Sequence, residues 1–552
     1  MKALPIGIEN FKTMIDKNVY YVDKTDLISE TMNEQFVLYT RPRRFGKTLN
    51  MSMLYYFFSN KEKENAYLFD GLNISNNLEV MKHQNQYPVI FMTLKDMKNI
   101  KLENQIEQFA YLIKNIILEN KELLDSNQID ESDKIVLNDF RFLKGNVTQL
   151  KNALYIISRC LENHYQQKVI ILIDEYDVPL QSAYVNGYYD EMVDFLRSVF
   201  SSSLKTNDAI EKAIFTGCLR ISKESIFTGL NNFNVYSLLD EYTSTRFGFT
   251  EKEVKQMLSD YDMSDQFDKV KEWYDGYLFG KNEIYNPWSV LKYVLKYIQE
   301  KARPESYWAN TSGNDIVYNY IQNANQSLYD EFEMLMQGKT IEKTINLELT
   351  YRDMDDIDNI YSFLLLTGYL KVKAVHIRSR NGYEETSYEL VIPNREVYEI
   401  YQQSFIKYFR IYTRDRKANL YQALMNGDTY QANTLLNEIL SRSISYYDNQ
   451  ENFYHGFLVG LFSEETVESN RESGNGRFDI CILPRRIIET AIVIECKHSL
   501  SEDDLFEDSE KGAEQIIEKR YLENQRLKRF RNRVGYGISF YKKQCYITKA
   551  QL

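Results

Sequence analysis

The sequence predicts an α/β protein in three parts. These are a doubly wound, mainly parallel sheet at the N-terminus, a helical middle with a small wing, and a smaller α/β part at the C-terminus. Three observations carry this reading. A short apolar strand at 36–40 runs into a loop and helix opened by Gly46-Lys47-Thr48. A wholly apolar strand at 169–173 ends in Asp174-Glu175. Near the C-terminus, the strand patterns 476–483 and 490–498 set Asp479, Glu495 and Lys497 into largely apolar ribbons.

The bulk properties bound the answer. A chain of 552 residues suffices for roughly three or four domains. Its 43% hydrophobic and 26% charged content is that of a globular protein. With 44 Tyr and 30 Phe, aromatic packing should be heavy, and with only 8 Pro, long disordered linkers are not expected. The net charge of −12 excludes a general polyanion binder, so any nucleic-acid contact must come from a local patch. Cys160, Cys218, Cys481, Cys496 and Cys545 show no CxxC spacing and fit reduced thiols better than disulfides or zinc ligands. Five scattered histidines do not suggest a His-based metal site. No apolar run approaches the ~18 residues of a membrane helix, and the first residues lack a signal-peptide core. The expectation is a cytoplasmic protein that does not contact membrane.

In the N-terminal part, residues 4–8 and 20–25 read as compact turn-and-strand pieces that cover a nucleotide base. The loop Arg41-Pro-Arg-Arg-Phe-Gly-Lys-Thr48 then opens a helix with Leu49, Met53, Tyr56 and Phe57 on one side. Unpaired N–H groups and the dipole at a helix start favour an anion. Lys47 would reach terminal phosphates and Thr48 would sit on Mg²⁺, with Arg44 and Gly46 completing the loop. Two features depart from the usual phosphate loop. Arg41 stands where its first glycine belongs, and Pro42 removes one cradle N–H.

Residues 87–94 read as the next buried strand, followed by helices to about 163. The apolar run ending at Asp174 suits a central parallel strand, whose C-terminal end is where α/β ligands bind. Asp174 is assigned to Mg²⁺ through water, and Glu175 to polarising an attacking water. The helix 189–204 places Met192, Phe195, Leu196 and Val199 on one face. In the strand 213–217, Thr216 occupies the place of a γ-phosphate sensor. Arg220 reads either as a charge-stabilising finger or as a surface salt bridge.

From 240 to 340 the pattern is helical, with 273–277 and 284–288 read as aromatic packing loops. A helix at 356–366 precedes a hairpin, 369–378 and 385–392, turning at Asn381-Gly382. This unit resembles a winged helix; Arg378 and Arg380 near its tip read as phosphate contacts or as a solvated turn. Helix resumes over 396–445. The expected domains are 1–235, 236–400 and 401–552.

In the C-terminal part, strand alternation puts Glu495 and Lys497 on one face with Val493, and Ile492, Ile494 and Cys496 on the other. Asp479 enters from the neighbouring strand. Carboxylate oxygens from Asp479 and Glu495, with the Cys496 carbonyl, suit Mg²⁺ or Mn²⁺. Lys497 would orient a water and stabilise charge on a scissile phosphate. The helix 513–521 carries Gln515 and Lys519 one turn apart. The segment 519–533 holds seven Lys and Arg against Glu523, a local charge reversal that reads as a phosphate track or as a charged surface balancing the acidic cluster 502–510. At the start of an apolar helix, Glu451 and His455 are i,i+4 neighbours that pack or reach the site.

These motifs together resemble a bacterial two-module family. Residues 4–8, 21–25, 41–48 and 173–177 look like an AAA-ATPase-like P-loop NTPase domain. Residues 469–479, 494–497 and 535–540 look like a PD-(D/E)XK nuclease-superfamily domain with a restriction-endonuclease-like fold. The resemblance implies ATP binding at Lys47 and Thr48. It also implies a nuclease-type centre of Asp479, Glu495 and Lys497 with Gln515 in support. Arg41 looks typical of this family. Two readings follow. One is an ATP-regulated, Mg²⁺-dependent nuclease acting on DNA, as a monomer or homo-oligomer, in defence or mobile-element biology. The other is a non-catalytic, ATP-switched module that binds nucleic acid or protein.

Overall fold

A computed structural model describes residues 1–220, 227, 233–308, 326–355, 357–380, 383–443, 451–462, 466–473, 476–484 and 486–551. The chain divides into two compact units, 1–317 with 334–401, and 318–333 with 402–552.

The first unit is built on five parallel strands. They are β1 (Phe36–Thr40), β2 (Val89–Thr93), β3 (Val169–Asp174), β4 (Ile210–Gly217) and β5 (Phe233–Tyr236), in the order β2-β3-β4-β1-β5. Every residue of β1 and β3 is buried, which is why their sequences are apolar throughout rather than alternating. The helix Lys47–Phe58 leaves β1 after a six-residue loop, and the helix Tyr189–Leu204 buries Met192, Phe195, Leu196 and Val199 as its periodicity predicts.

Two stretches differ from the sequence reading. Residues 4–8 and 20–25 form no strand. Asp23 accepts hydrogen bonds from the Thr25 N–H (2.8 Å) and hydroxyl (2.6 Å), a local turn that competes with strand pairing. The aromatic stretches after 273 are not loops. Trp273 and Tyr274 end the helix Phe267–Tyr274, Pro287 and Trp288 open the helix Pro287–Glu300, and between them runs the antiparallel hairpin of β7 (Tyr277–Phe279) and β8 (Asn282–Tyr285), which β6 (Phe249–Thr250) extends. Their aromatic residues alternate across the ribbon, a period of two within too few residues to stand out from the helices around them.

The expected hairpin follows the helix Ile357–Leu366 as β10 (Lys371–Arg380) and β11 (Tyr383–Val391), and β9 (Ile341–Lys343), which precedes that helix, pairs with β11 in the order β10-β11-β9. Its turn, Asn381-Gly382, lies outside the described residues. Arg378 is ion-paired to Glu342 at 2.9 Å.

The helix Arg395–Asn426 starts on a buried carboxylate. Glu396 accepts hydrogen bonds from the Ser289 hydroxyl (2.8 and 2.9 Å) and from the backbone N–H groups of Tyr307 and Trp308 (both 2.8 Å). Burial raises its pKa to about 7, so the folded state holds a proton there that the unfolded chain releases near 4.5. The stabilisation is complete below pH 4.5 and is lost as pH rises towards 7, by about 3 kcal/mol. Glu396→Gln keeps the shape and removes the ionisation. Its urea midpoint is therefore expected to exceed wild type at pH 8 and match it at pH 4. Glu396→Ala orphans two buried N–H groups and is expected to destabilise at both.

The second unit carries β12 (Thr466–Ser473), β13 (Gly476–Leu483), β14 (Thr490–His498), β15 (Asn532–Tyr541) and β16 (Gln544–Lys549) in sequence order. All neighbours are antiparallel except β14 and β15, which are parallel and joined through the helix Leu505–Glu518. Ile480, Ile482, Ile492, Ile494 and Cys496 pack on one face with Leu436, Leu440, Tyr454 and Leu458. Cys481, Ala491 and Val493 pack on the other with Ile516, Tyr521 and Leu527. The acidic cluster puts Glu507 and Asp508 in the first helical turn, where the helix dipole favours them.

Candidate functional site

Two groups of side chains stand out, one at the C-terminal ends of the parallel strands and one on β14. In the first, the loop after β1 takes left-handed backbone at Arg44 (φ 70°) and Gly46 (φ 85°), which turns successive N–H groups to one side before the helix begins. Lys47 is buried. Its Nζ lies 3.1 and 3.2 Å from the carbonyls of Arg41 and Pro42, 3.4 Å from Glu175 Oε1 and 3.6 Å from Cys218 Sγ. Burial works against its charge, but Cys218, Glu175, Asp177 and Asp174 more than offset this and hold its pKa above the usual lysine value.

Asp174, fully buried, is the hub behind the loop. It accepts hydrogen bonds from Thr48 (2.8 Å), Thr216 (2.6 Å) and Thr93 (3.3 Å). Burial and the neighbouring Glu175 raise its pKa. Glu175 itself is held in left-handed backbone (φ 54°), a strained conformation that the bonds around β3 must sustain.

Lys47, Thr48, Asp174, Glu175 and Thr216 are thus brought together. Arg220 is not with them. It pairs with Glu348 at 3.1 Å and does not line the cavity beside the loop. Arg44 turns onto the Trp288 ring, 4.6 Å from its centroid.

The cavity, of about 330 Å³, is lined by Gly46, Lys47, Thr48 and Glu175. Pieces remote in sequence complete it, among them Gly7, Tyr21, Lys24, Phe249 and Trp288. The sequence reading missed what three residues do here. Arg41 does not face the cavity. Fully buried, it donates to the Thr40 and Tyr236 carbonyls (both 2.8 Å) and to Thr243 (3.1 Å), bracing the end of β1 against β5. Burial pulls its pKa down to about 10, which leaves it charged at neutral pH. Asp177 accepts from the N–H groups of Cys218 (2.9 Å) and Leu219 (3.0 Å), and burial with Glu175 raises its pKa to about 6. Its signal was a third acidic residue three positions after Asp174. Trp288 gave none.

On β14, Glu495, Lys497 and Gln515 form one hydrogen-bonded cluster. Lys497 Nζ lies 2.8 Å from Gln515 Oε1 and 3.3 Å from Glu495 Oε1, and Gln515 Nε2 also donates to Glu495 Oε1. Asp479 stands one residue beyond the last paired position of β13 and β14, and its Oδ2 accepts from the Cys496 N–H at 2.8 Å. His455 Nε2 lies 3.0 Å from the Asp479 carbonyl oxygen, which ties the helix Glu451–Leu461 to the same strand.

Glu495 is buried, and its Oε2 has no hydrogen-bond partner. Burial and the Asp479 carboxylate raise its pKa to about 7. Among the described residues no three His, Cys, Asp or Glu side chains converge as a metal cluster. Mg²⁺, however, is commonly bound through one or two carboxylates and keeps several waters. Two carboxylates, one with a buried unsatisfied oxygen, beside a backbone carbonyl are a donor set that fits such an ion.

Gln515 reaches the cluster because its helix lies unusually close to β15. A Cβ at Gly537 would run into the Ser509 carbonyl oxygen and the Ala513 nitrogen, and a Cβ at Gly512 would meet Gly537 Cα at 3.0 Å. Gly537→Ala is therefore expected to destabilise the protein by about 3 kcal/mol. A urea midpoint equal to wild type would remove this explanation of the packing.

The helix stops at Glu518, short of the expected 521, because Arg520 takes left-handed backbone (φ 57°). The basic segment beyond it runs through 3₁₀ turns that bury Tyr521, Leu522, Leu527 and Phe530 and leave Lys519, Arg520, Lys528, Arg529, Arg531 and Arg533 exposed. Arg526 pairs with Glu468 at 2.8 Å.

Comparison with known proteins fits both groups. Residues 5–227 match the AAA-ATPase-like family, described as a predicted AAA-ATPase, and residues 449–550 match the PD-(D/E)XK nuclease superfamily. A protein of Azotobacter chroococcum mcd 1, named only as an uncharacterized protein in the vnfD 5' region, is 26% identical over 506 residues, 87% of each chain. The chain thus joins an AAA-ATPase-like domain to a PD-(D/E)XK nuclease-superfamily domain.

Proposed function

We propose that this protein is an ATP-regulated, divalent-metal-dependent nuclease whose substrate is DNA. The observation that carries the reading is the cluster on β14: a buried glutamate with one unsatisfied oxygen, held beside a second carboxylate, a lysine and a glutamine. Burying that many charges without a function costs stability. Asp479, Glu495 and the Cys496 carbonyl would hold Mg²⁺ or Mn²⁺, which when bound supplies an acidified water and neutralises phosphate charge. Lys497, fixed by Gln515 and Glu495, presents its ammonium to the developing charge on the phosphate. Gln515 aims Lys497 and Glu495, and so acts as a positioning residue. The exposed cations of 519–533 follow directly on the helix that carries Gln515 and would bind the phosphate backbone.

At the other site, Lys47 and the loop N–H groups bind the nucleotide phosphates. Thr48 and Asp174 hold the accompanying Mg²⁺, Thr216 orients Asp174, and Glu175 polarises water. The test is cleavage of supercoiled plasmid with Mg²⁺ and ATP by wild type, Lys47→Ala and Lys497→Ala. Wild type is expected to cut and Lys497→Ala not to; Lys47→Ala should lose the dependence on ATP. Equal cleavage by all three would reject the assignment.

A further inference from the structure

The lining of the cavity beside the phosphate loop includes an apolar group, Trp288, Phe249, Leu291 and Val22, that packs in one hydrophobic cluster. Trp288, Phe249 and Leu291 lie beyond the segment that matches the AAA-ATPase-like family. Arg44, on the loop itself, is exposed. Its left-handed backbone carries its guanidinium to 4.6 Å from the Trp288 ring, and Lys292 Nζ lies 4.8 Å from the same ring. The buried Trp288 Nε1 has no hydrogen-bond partner.

We propose that Trp288 is the stacking platform for the purine base of the bound nucleotide, and that Arg44 occupies this platform until the base displaces it. Magnitudes favour the exchange. A base stacked on an aromatic ring gains roughly 5- to 150-fold in binding, whereas an exposed guanidinium on a ring gains roughly 2- to 5-fold. The released Arg44, three residues before Lys47, turns onto the phosphates. Purine preference and phosphate binding are thereby linked through one side chain. This rests on the reading that the cavity takes a nucleotide.

The experiment is calorimetry on the full chain with Mg²⁺, using ATP, UTP, adenosine and inorganic tripolyphosphate. Trp288→Ala is expected to weaken ATP by roughly 10- to 100-fold, abolish the preference for ATP over UTP, and leave tripolyphosphate within about twofold of wild type. Trp288→Phe should restore most of the ATP affinity, which separates loss of stacking from misfolding. Arg44→Ala should act with opposite signs, weakening tripolyphosphate and tightening adenosine. Unchanged ATP affinity in Trp288→Ala, or equal losses for ATP and tripolyphosphate, overturns the proposal. Wild type that binds neither ligand would instead remove the nucleotide reading, and this proposal with it.

Discussion

Lys497→Ala is expected to lower plasmid cleavage by about 100- to 1000-fold, the usual cost of removing one group that stabilises charge in a transition state. The side chain is half-buried, and its ammonium meets two side chains, Glu495 and Gln515. Removing it leaves both carboxylates in place, so Mn²⁺ should still bind while cutting stops. Gln515→Ala should cost less, roughly tenfold, because it loosens Lys497 and Glu495 without removing either. Loss of metal binding in Lys497→Ala would mean that the lysine builds the site rather than acts in it. Full activity in that variant would show that the cluster performs no cleavage. A nicking assay run beside Mn²⁺ calorimetry separates the three outcomes.

The second large effect is at the phosphate loop. Lys47→Ala is expected to weaken ATP by roughly 10- to 100-fold, since charge-assisted hydrogen bonds contribute about 1.5–3 kcal/mol each. Lys47 also satisfies the Arg41 and Pro42 carbonyls, so some stability should go with it. Glu175→Gln tests a different step. Its carboxylate lies 3.4 Å from Lys47 Nζ, and the amide retains the shape but cannot take a proton. ATP should bind and turnover should fall about 100-fold or more. Isothermal titration with ATP alongside a phosphate-release assay measures both. Turnover unchanged in Glu175→Gln would move the water-polarising role elsewhere, and ATP affinity unchanged in Lys47→Ala would move the phosphates away from this loop.

What the sequence made legible was local. The apolar runs of β1 and β3, the helix start at Gly46-Lys47-Thr48, the buried face of the helix Tyr189–Leu204 and the alternation of β14 all follow from periodicity and composition within one element. Asp479, Glu495, Lys497 and Gln515 were legible as a group because strand alternation and one helical face, together with the family resemblance, place them. What was not legible depends on partners far along the chain. Arg41 braces β1 against Tyr236 and Thr243, about 200 residues on. Arg44 meets Trp288, and Ser289 holds Glu396. No spacing rule predicts such pairs, because they are set by how the segment 240–300 packs on the strand ends. The hairpin of β7 and β8 was hidden for the opposite reason, since seven strand residues between helices give too short a period to read.

The account turns on whether Asp479 and Glu495 hold a divalent cation. Calorimetric titration of Mn²⁺ into the nucleotide-free protein tests this most directly, comparing wild type with Asp479→Asn and Glu495→Gln. The account predicts one site in wild type, weakened at least about tenfold in each variant. A wild-type site that survives both substitutions, or no site at all, would contradict it.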